Sequence, residues 1–316
     1  MTDRHLFIVD PVEEFDPAHD TTYIIMRELE KRNHQIWACR SVDLTWQGGE
    51  LSADMRRISV SDFNSNSSHF IEIERASVLL DSFDLIWMRE DPPFDSQYLY
   101  STYLLERVSV PVINDPVGLR DCNEKLFILD FPNLIPRTWV GADIDSARQF
   151  LKSVDDVAVA KSLSGYGGEE VYRLESGSEA SLRRLESITR HGEQTIMLQE
   201  FLPSVSQQGD RRVIVVGGEP LGVLSRLPSP GDFRSNLHSG GLAQAAQLTE
   251  KEKEICSLLK DRLLEKGLHF VGLDLVDEKI IEINVTSPTC VQEINRLGKM
   301  HLEKKIVNYV YGNILQ

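Results

Sequence analysis

Apolar residues at Val271, Leu273 and Leu275, and again at Ile281, Ile283 and Val285, recur at every second position. A period of two marks strands with one face in a core, so the segment reads as a hairpin. Its other face carries Gly272, Asp274, Glu282 and Asn284. A three-residue turn at Asp277-Glu278-Lys279 sets Asp274 directly across from Glu282. A two-residue turn would put them on opposite faces, because a one-residue slip exchanges the two sides. The hydrophobic pattern favours the three-residue turn. Two carboxylates and an amide on one short face suit a hard cation such as magnesium; a solvated acidic edge is the competing reading. The small hydroxyl residues in the following Asn284-Val-Thr-Ser287-Pro288-Thr289 favour the cation.

The first third of the chain alternates strand and helix signals. Leu6–Val9, Gln35–Cys39, Leu85–Met88 and Pro111–Asn114 read as strands. Helices are expected over Thr21–Arg32, with Thr21 as N-cap, and over Asp95–Val108. This βαβ rhythm predicts a sheet of largely parallel strands. Around Trp46–Ser68 the pattern is poor, with a turn at Gly48-Gly49 and a polar loop at Asn64–Ser68. A helix at Asp121–Phe131 then leads into a compact unit of strands and helices, with strands at Arg137–Val140, Val157–Lys161, Glu170–Leu174 and Thr195–Glu200. Helices at Ser146–Lys152 and Glu179–Arg190 lie between them. The last third holds β-branched runs at Arg212–Val216 and Leu221–Arg226, joined through Gly217-Gly218. A Pro-, Gly- and Ser-rich stretch (Pro228–Gly241), a helix (Glu250–Lys266), the acidic hairpin and terminal helices follow.

The 316 residues suffice for two or three structural units, and 41% hydrophobic with 26% charged residues is a globular composition. A net charge of −15 argues against nucleic acid, which needs concentrated Lys and Arg. It leaves room for a small anion in a locally basic pocket. Four widely spaced cysteines form no CxxC pair, and no apolar run approaches the roughly 18 residues of a membrane span. The expectation is a cytoplasmic protein with reduced thiols.

Basic candidates for such a pocket exist. Ala158-Val-Ala160-Lys161 is an apolar strand ending in lysine, a residue seldom buried without a partner, and Gly165-Tyr166-Gly167-Gly168 follows shortly. Backbone N–H groups of a glycine loop can approach phosphate oxygens closely. The loop is neither GxxxxGK[ST] nor GxGxxG, and a plain hairpin turn competes with it. Lys125, Arg212, Arg226 and Arg234 supply further positive charge.

In this order these pieces resemble the ATP-grasp family, and within it the bacterial type of glutathione synthase. The resemblance rests on Met88-Arg89-Glu90-Asp91-Pro-Pro-Phe-Asp95, Asn114-Asp-Pro with Leu119-Arg-Asp-Cys-Asn-Glu-Lys125-Leu, and Gly209-Asp210-Arg-Arg212-Val. It rests further on Asn236-Leu-His-Ser-Gly240-Gly241 and on Phe270-Val-Gly-Leu-Asp274 continuing to Glu282-Ile-Asn284-Val-Thr-Ser-Pro-Thr-Cys290. It implies an α/β (α+β) ATP-grasp fold: an N-terminal parallel-sheet, substrate-binding domain (1–121), a central lid (122–199), and a C-terminal ATP-grasp part (200–316) with a mobile loop at 228–241. Lys125, Lys161 and Gly165–Gly168 would hold ATP phosphates, Glu200-Phe201-Leu202 the adenine, and Asp210 the ribose. Asp274, Glu282 and Asn284 would bind magnesium, with manganese as the other candidate. Arg212, Arg226 and Arg234 would face the γ-phosphate and the reacting carboxylate. Arg89, Asp91, Asn236, Gly240, Gly241, Ser287, Pro288 and Thr289 would meet the substrates.

The implied reaction is ATP-dependent joining of γ-glutamylcysteine and glycine through an acyl-phosphate, and the implied assembly is a homo-oligomer, a homotetramer in the family. The other readings are a ligase for another acceptor amine, a non-catalytic nucleotide-binding protein, or a dinucleotide oxidoreductase, for which no fingerprint follows Leu6–Val9. One departure bears on the acceptor. Glu90 stands where the family carries a basic residue, a reversal that matters if it faces the dipeptide carboxylate. Phe233-Arg234-Ser also departs from the family's usual residues.

Overall fold

The computed structural model describes residues 2–61, 69–168 and 170–315, arranged around three sheets. The first contains β1 (Arg4–Ile8), β2 (Gln35–Cys39), β3 (Leu44–Gln47), β4 (Glu50–Val60), β5 (Phe70–Leu79), β6 (Leu85–Met88) and β7 (Val112–Ile113). As the βαβ rhythm predicts, β2-β1-β6-β7 is parallel. The weakly patterned region adds β3 and β4, and β5 pairs antiparallel along β4. The expected Asn64–Ser68 loop lies outside the described residues.

Helices cover the parallel strands. Thr21–Lys31 buries Tyr23, Ile25, Met26 and Leu29. Its N-cap is Asp20, not Thr21: the Asp20 carboxylate accepts from the Tyr23 N–H, satisfying a donor that the helix leaves free. Asp95 and Asp115 cap the helices Ser96–Leu105 and Pro116–Asp121 in the same way.

The second sheet, order β10-β9-β11-β8, is antiparallel: β8 (Thr138–Gly141), β9 (Val157–Ser162), β10 (Val171–Glu175) and β11 (Ile196–Glu200). Ala158, Ala160, Ile196 and Leu198 share its core with Ala147, Leu151, Leu185 and Ile188 from the helices Ile144–Ser153 and Glu179–Ile188.

The third sheet, order β14-β13-β12-β15-β16, carries the acidic hairpin: β12 (Asp210–Val216), β13 (Glu219–Leu227), β14 (Leu242–Ala245), β15 (Phe270–Val276) and β16 (Lys279–Asn284). Val213, Val215, Leu273, Leu275 and Ile283 join Ile255, Leu259 and Leu263 of the helix Glu250–Glu265 in one core. Each such buried side chain contributes about 1.5–3 kcal/mol relative to exposure.

The hairpin turn differs from expectation. Val276 pairs with Lys279, so the turn is the two residues Asp277-Glu278, at φ 49° and 59°. Two consecutive positive φ values match the right-handed twist of the strands. A bulge at Ile281 then restores Asp274 opposite Glu282. It also exchanges two isoleucines: Ile280 is buried in the core, while Ile281 turns to the other face.

Strand β1 is tied to the last helix, Leu302–Asn313, by a hydrogen-bond chain. Trp87 Nε1–H faces His5 Nδ1 at 3.3 Å, which leaves the His5 proton on Nε2. That N–H donates to Tyr311 Oη (2.9 Å), and Tyr311 donates to Asp3 Oδ2 (2.7 Å). Asp3, His5 and His34 lie close enough together to hold a metal ion, but His5 Nε2, engaged in this way, offers no lone pair.

Candidate active site

The acidic face of the third sheet is built from residues directly opposite one another on neighbouring strands. Asp210 on β12 faces Arg226 on β13; Arg212 on β12 faces Asp274 on β15, which faces Glu282 on β16. Arg212 donates to both carboxylate oxygens of Asp274, at 2.5 and 2.8 Å. Arg226 does the same to Asp210, at 2.6 and 2.8 Å, and reaches Asp274 at 2.8 Å. All four residues are buried. Burial alone would raise the Asp274 carboxyl, but Arg212 and Arg226 hold it well below the usual carboxylate range. Asn284 Nδ2 completes the set, donating to Asp274 at 3.3 Å.

Asp274, Glu282 and Asn284 offer two carboxylates and an amide oxygen on adjacent strands, a donor set that fits a hard divalent cation. Arg212, Arg226 and Lys125 balance the acidic charge in this arrangement.

Two lysines point to the same place from other elements. Lys125 lies in the turn between Pro116–Asp121 and the 3-10 helix Phe127–Asp130; the continuous helix expected over Asp121–Phe131 is interrupted there. Its ammonium reaches Glu282 at 3.1 Å and the Gly165 carbonyl at 2.5 Å. Although burial opposes its charge, Glu282 and Glu124 hold it above the ordinary lysine value. Lys161, at the end of β9, donates to Gln199 Oε1 (2.6 Å) and to the Ile281 carbonyl (3.1 Å). Burial pulls it down to about 8, against the opposing charge of Glu282.

Between the second and third sheets runs a cleft of about 780 Å³. Lys125, Lys161, Asp210, Asp274 and Glu282 lie on its wall, with Gly165, Tyr166, Gly167 and Gly168 along one rim and Glu200, Phe201 and Leu202 at the end of β11. Arg234, Ser235 and Asn236 close another side. Arg212 and Arg226 stand one layer back, behind the two aspartates they bind.

The Pro228–Gly241 stretch packs on the glycine loop. Ser239 Oγ donates to the Gly167 carbonyl (2.9 Å) and Arg234 Nη1 to the Gly168 carbonyl (3.3 Å). A Cβ at Gly168, where φ is +88°, would meet Ser239 Oγ at 2.7 Å. Gly240 and Gly241 lie where this stretch turns into β14; a Cβ on Gly241 would meet the Ser235 carbonyl at 2.1 Å.

The remaining substrate candidates gather away from that cleft. Arg89, at the end of β6, is buried and donates to Thr22 Oγ1 (3.1 Å) and to the Pro288 carbonyl (3.0 Å), which joins it to Ser287-Pro288-Thr289. Its buried Nη1 has no hydrogen-bond partner among the described residues. The Asp91 N–H donates to Asp10 (2.8 Å). Glu90 accepts from Ser41 N–H (2.8 Å) and Oγ (2.7 Å), so its carboxylate holds the 3-10 turn Ser41–Asp43.

Sequence reasoning passed over three contributors. Gln199 fixes Lys161, and its signal is a polar residue inside the apolar run Ile196-Met-Leu-Gln. Ile281 reaches the cleft only through the bulge, which nothing in the alternation announces. Glu124, beside Lys125, accepts from Val285 N–H, Thr286 N–H and Thr286 Oγ1 at 2.8, 3.0 and 2.8 Å.

The chain is similar to known proteins over nearly its whole length. Residues 4–120 match the family model of the prokaryotic glutathione synthetase N-terminal domain, and residues 124–299 that of the prokaryotic glutathione synthetase ATP-grasp domain. The glutathione synthetase of Prochlorococcus marinus subsp. pastoris is 39% identical over 307 residues, 96% of this chain and 97% of its own. That of Vibrio cholerae is 37% identical, over 96% and 95%. Among solved structures, D-cycloserine synthetase DcsG aligns over 99% of this chain and 100% of its own with a TM-score of 0.69 at 14% identity. D-alanyl-alanine synthetase A from Vibrio cholerae aligns over 100% and 99%, with a TM-score of 0.62 at 14% identity. Such low identity speaks for the fold alone, and that fold is the one shared by ATP-grasp ligases. The chain itself belongs to the prokaryotic glutathione synthetase family.

Proposed function

We propose that this chain is an ATP-dependent ligase that joins γ-glutamylcysteine to glycine, giving glutathione, ADP and phosphate. The observation that carries the reading is the facing of Asp274 and Glu282 toward two buried lysines and a glycine loop, in a chain of this family. Triphosphate binding needs positive groups and close backbone approach, and Lys125, Lys161 and Gly165–Gly168 supply both. Glu200-Phe201-Leu202 at the end of β11 offers its backbone to adenine, and Asp210 lies within reach of the ribose.

Asp274, Glu282 and Asn284 would hold magnesium, or manganese, which takes the same oxygen donors. When bound, the ion neutralises phosphate charge as it builds during transfer. The chain does the rest by positioning. Lys125 and Lys161 orient the phosphates toward the acidic row, so that a substrate carboxylate can take the γ-phosphoryl group and become an acyl-phosphate. An incoming amine then displaces phosphate. Water would destroy the acyl-phosphate, and Pro228–Gly241 packed on the glycine loop excludes it. Arg234 lies at that closure, ready to neutralise the transferred group. Arg212 and Arg226 act as positioning residues, because both are committed to Asp210 and Asp274.

Arg89, with its unpartnered Nη1, suits the dipeptide carboxylate. Since Glu90 is engaged by Ser41, its reversed charge gives no ground for another acceptor. Four buried free thiols accord with a reducing, cytoplasmic setting. Phosphate release from MgATP tests the assignment. It should require γ-glutamylcysteine and glycine together; turnover with another amine but not with glycine would overturn the acceptor and spare the reaction class.

A further inference from the structure

Phe233, Arg234 and Ser235 all line the nucleotide cleft, yet the reaction proposed above uses only the arginine. A single turn presents the three. Asp232 Oδ1 accepts from the Phe233 and Arg234 N–H groups (2.7 and 2.9 Å), and the same carboxylate holds Arg234 Nη2 at 2.8 Å. Before the turn, Asp232 N–H donates to the Ser229 carbonyl (3.0 Å); after it, the Asn236 carbonyl accepts from Gly241 N–H (3.1 Å). Contacts within the Pro228–Gly241 stretch thus fix the shape of the segment, which is pre-organised rather than ordered at the cost of binding energy.

The side chains are spread along the cleft. The Phe233 ring meets Phe201, in the strand end offered to adenine, edge to face with ring centres 6.2 Å apart and planes at 77°. The Arg173 guanidinium lies 4.9 Å from the Phe201 ring centre and steadies that ring. Val159, Val171 and Leu202 line the cleft with the two rings. Such an apolar slot suits a flat heterocycle, whose face stacks on aromatic side chains. One residue on, Arg234 Nη1 reaches the Gly168 carbonyl of the glycine loop (3.3 Å), so the segment passes from the base end to the phosphate end. Ser235 is 2% exposed, and its Oγ has no hydrogen-bond partner among the described residues. A buried hydroxyl left in this way is unfavourable, and an acceptor brought by a ligand relieves it.

We propose that this closing loop reads the nucleotide from base to phosphate: Phe233 forms one wall of the adenine slot, and Ser235 Oγ donates to a phosphate oxygen. The assignment rests on the ligase reading above and goes beyond it, because closure then depends on the base as well as on the triphosphate. A loop that touched phosphates alone would close equally on any polyphosphate. Phe233 adds a contact that the base makes only in the closed state, so adenine shifts the loop toward closure. ADP keeps the base after phosphoryl transfer. It therefore holds the loop shut while the acyl-phosphate awaits its amine, the interval in which water does most harm. Phe233-Arg234-Ser235 is also a segment in which this chain departs from the family's usual residues, so the contact is this chain's own.

Calorimetric titration of the full chain separates the two contacts, with MgATP in the absence of the dipeptide as one ligand and magnesium tripolyphosphate, which has no base, as the other. Phe233→Ala should weaken MgATP by about 5- to 100-fold and leave tripolyphosphate unchanged. Phe233→Tyr, which keeps the aromatic face, should restore the affinity for MgATP. Ser235→Ala should weaken both ligands by about 10-fold without lowering the urea midpoint, because it deletes a group that the free protein leaves unpaired. Equal loss of both ligands in Phe233→Ala would make the ring a prop for the loop, and unchanged MgATP affinity would take it out of the slot. Unchanged affinities in Ser235→Ala, or a lowered urea midpoint, would give that hydroxyl no part in binding or a purely structural one. Each of these overturns the proposal. Wild-type protein that binds neither ligand would instead overturn the nucleotide reading itself.

Discussion

Arg212 holds Asp274 through two parallel hydrogen bonds, from Nε at 2.5 Å and Nη2 at 2.8 Å, with both side chains buried. An aspartate proposed to bind the metal is therefore also the centre of a buried ion-pair network. From sequence alone, Asp274→Asn reads as a change in activity with little effect on folding. The structure predicts both effects. Removing one charge leaves Arg212 and Arg226 facing a neutral amide, and breaking such a buried pair costs about 3–5 kcal/mol. Urea denaturation should show that loss, alongside a fall in ADP formation of orders of magnitude.

The contact between Ser239 and the Gly167 carbonyl predicts that closure and chemistry are coupled. Gly168→Ala forces a Cβ against Ser239 Oγ in a backbone conformation that favours glycine. The two loops should then seal poorly. The ratio of phosphate released to amide formed, near one in the wild type, should rise as water intercepts the acyl-phosphate. Ser239→Ala, which removes only the hydrogen bond, should give a smaller rise.

The role proposed for Lys161 predicts a pH limit on nucleotide binding. With its ammonium drawn down to about 8, it loses charge above that pH, and the KM for ATP should climb through the same range. The Gln199 Oε1 hydrogen bond favours the charged form. Gln199→Leu should therefore move the rise in KM to lower pH. Profiles of KM against pH for the two proteins test this.

The His5–Tyr311 link predicts acid sensitivity of folding. Burial, and then His34, lower the His5 pKa from 6.5 to about 3, with Asp3 opposing. Between those values the unfolded chain binds a proton that the folded chain does not. The stabilisation is complete above 6.5 and is lost progressively as pH falls toward 3. Urea midpoints measured from about pH 7.5 down to about pH 4.5 should decline. His5→Gln should flatten part of that slope.

Much of the fold was legible because its signals are local. Leu85–Met88 and Gln35–Cys39 occur as their apolar runs predict, and Gly217-Gly218 does turn β12 into β13. The β4–β5 pair was missed because β5 carries exposed residues on both faces, Ile71 and Ile73 among Glu72 and Glu74, and so shows no buried stripe. In the acidic hairpin the pairing of Asp274 with Glu282 was read correctly through the wrong turn. A two-residue turn and a bulge leave the same register as a three-residue turn, and only the exchange of Ile280 for Ile281 distinguishes them. The grip of Arg212 and Arg226 on the aspartates was out of reach. It depends on β12 lying between β13 and β15, a choice of neighbours that no single segment encodes.

The central claim is that ATP activates a carboxylate as an acyl-phosphate beside Asp274 and Glu282. Transfer of ¹⁸O tests it most directly. With γ-glutamylcysteine labelled in its cysteinyl carboxylate, and with glycine and MgATP supplied, each phosphate released should carry one labelled oxygen. Unlabelled phosphate accompanying peptide formation, or phosphate release that needs no peptide, would contradict it.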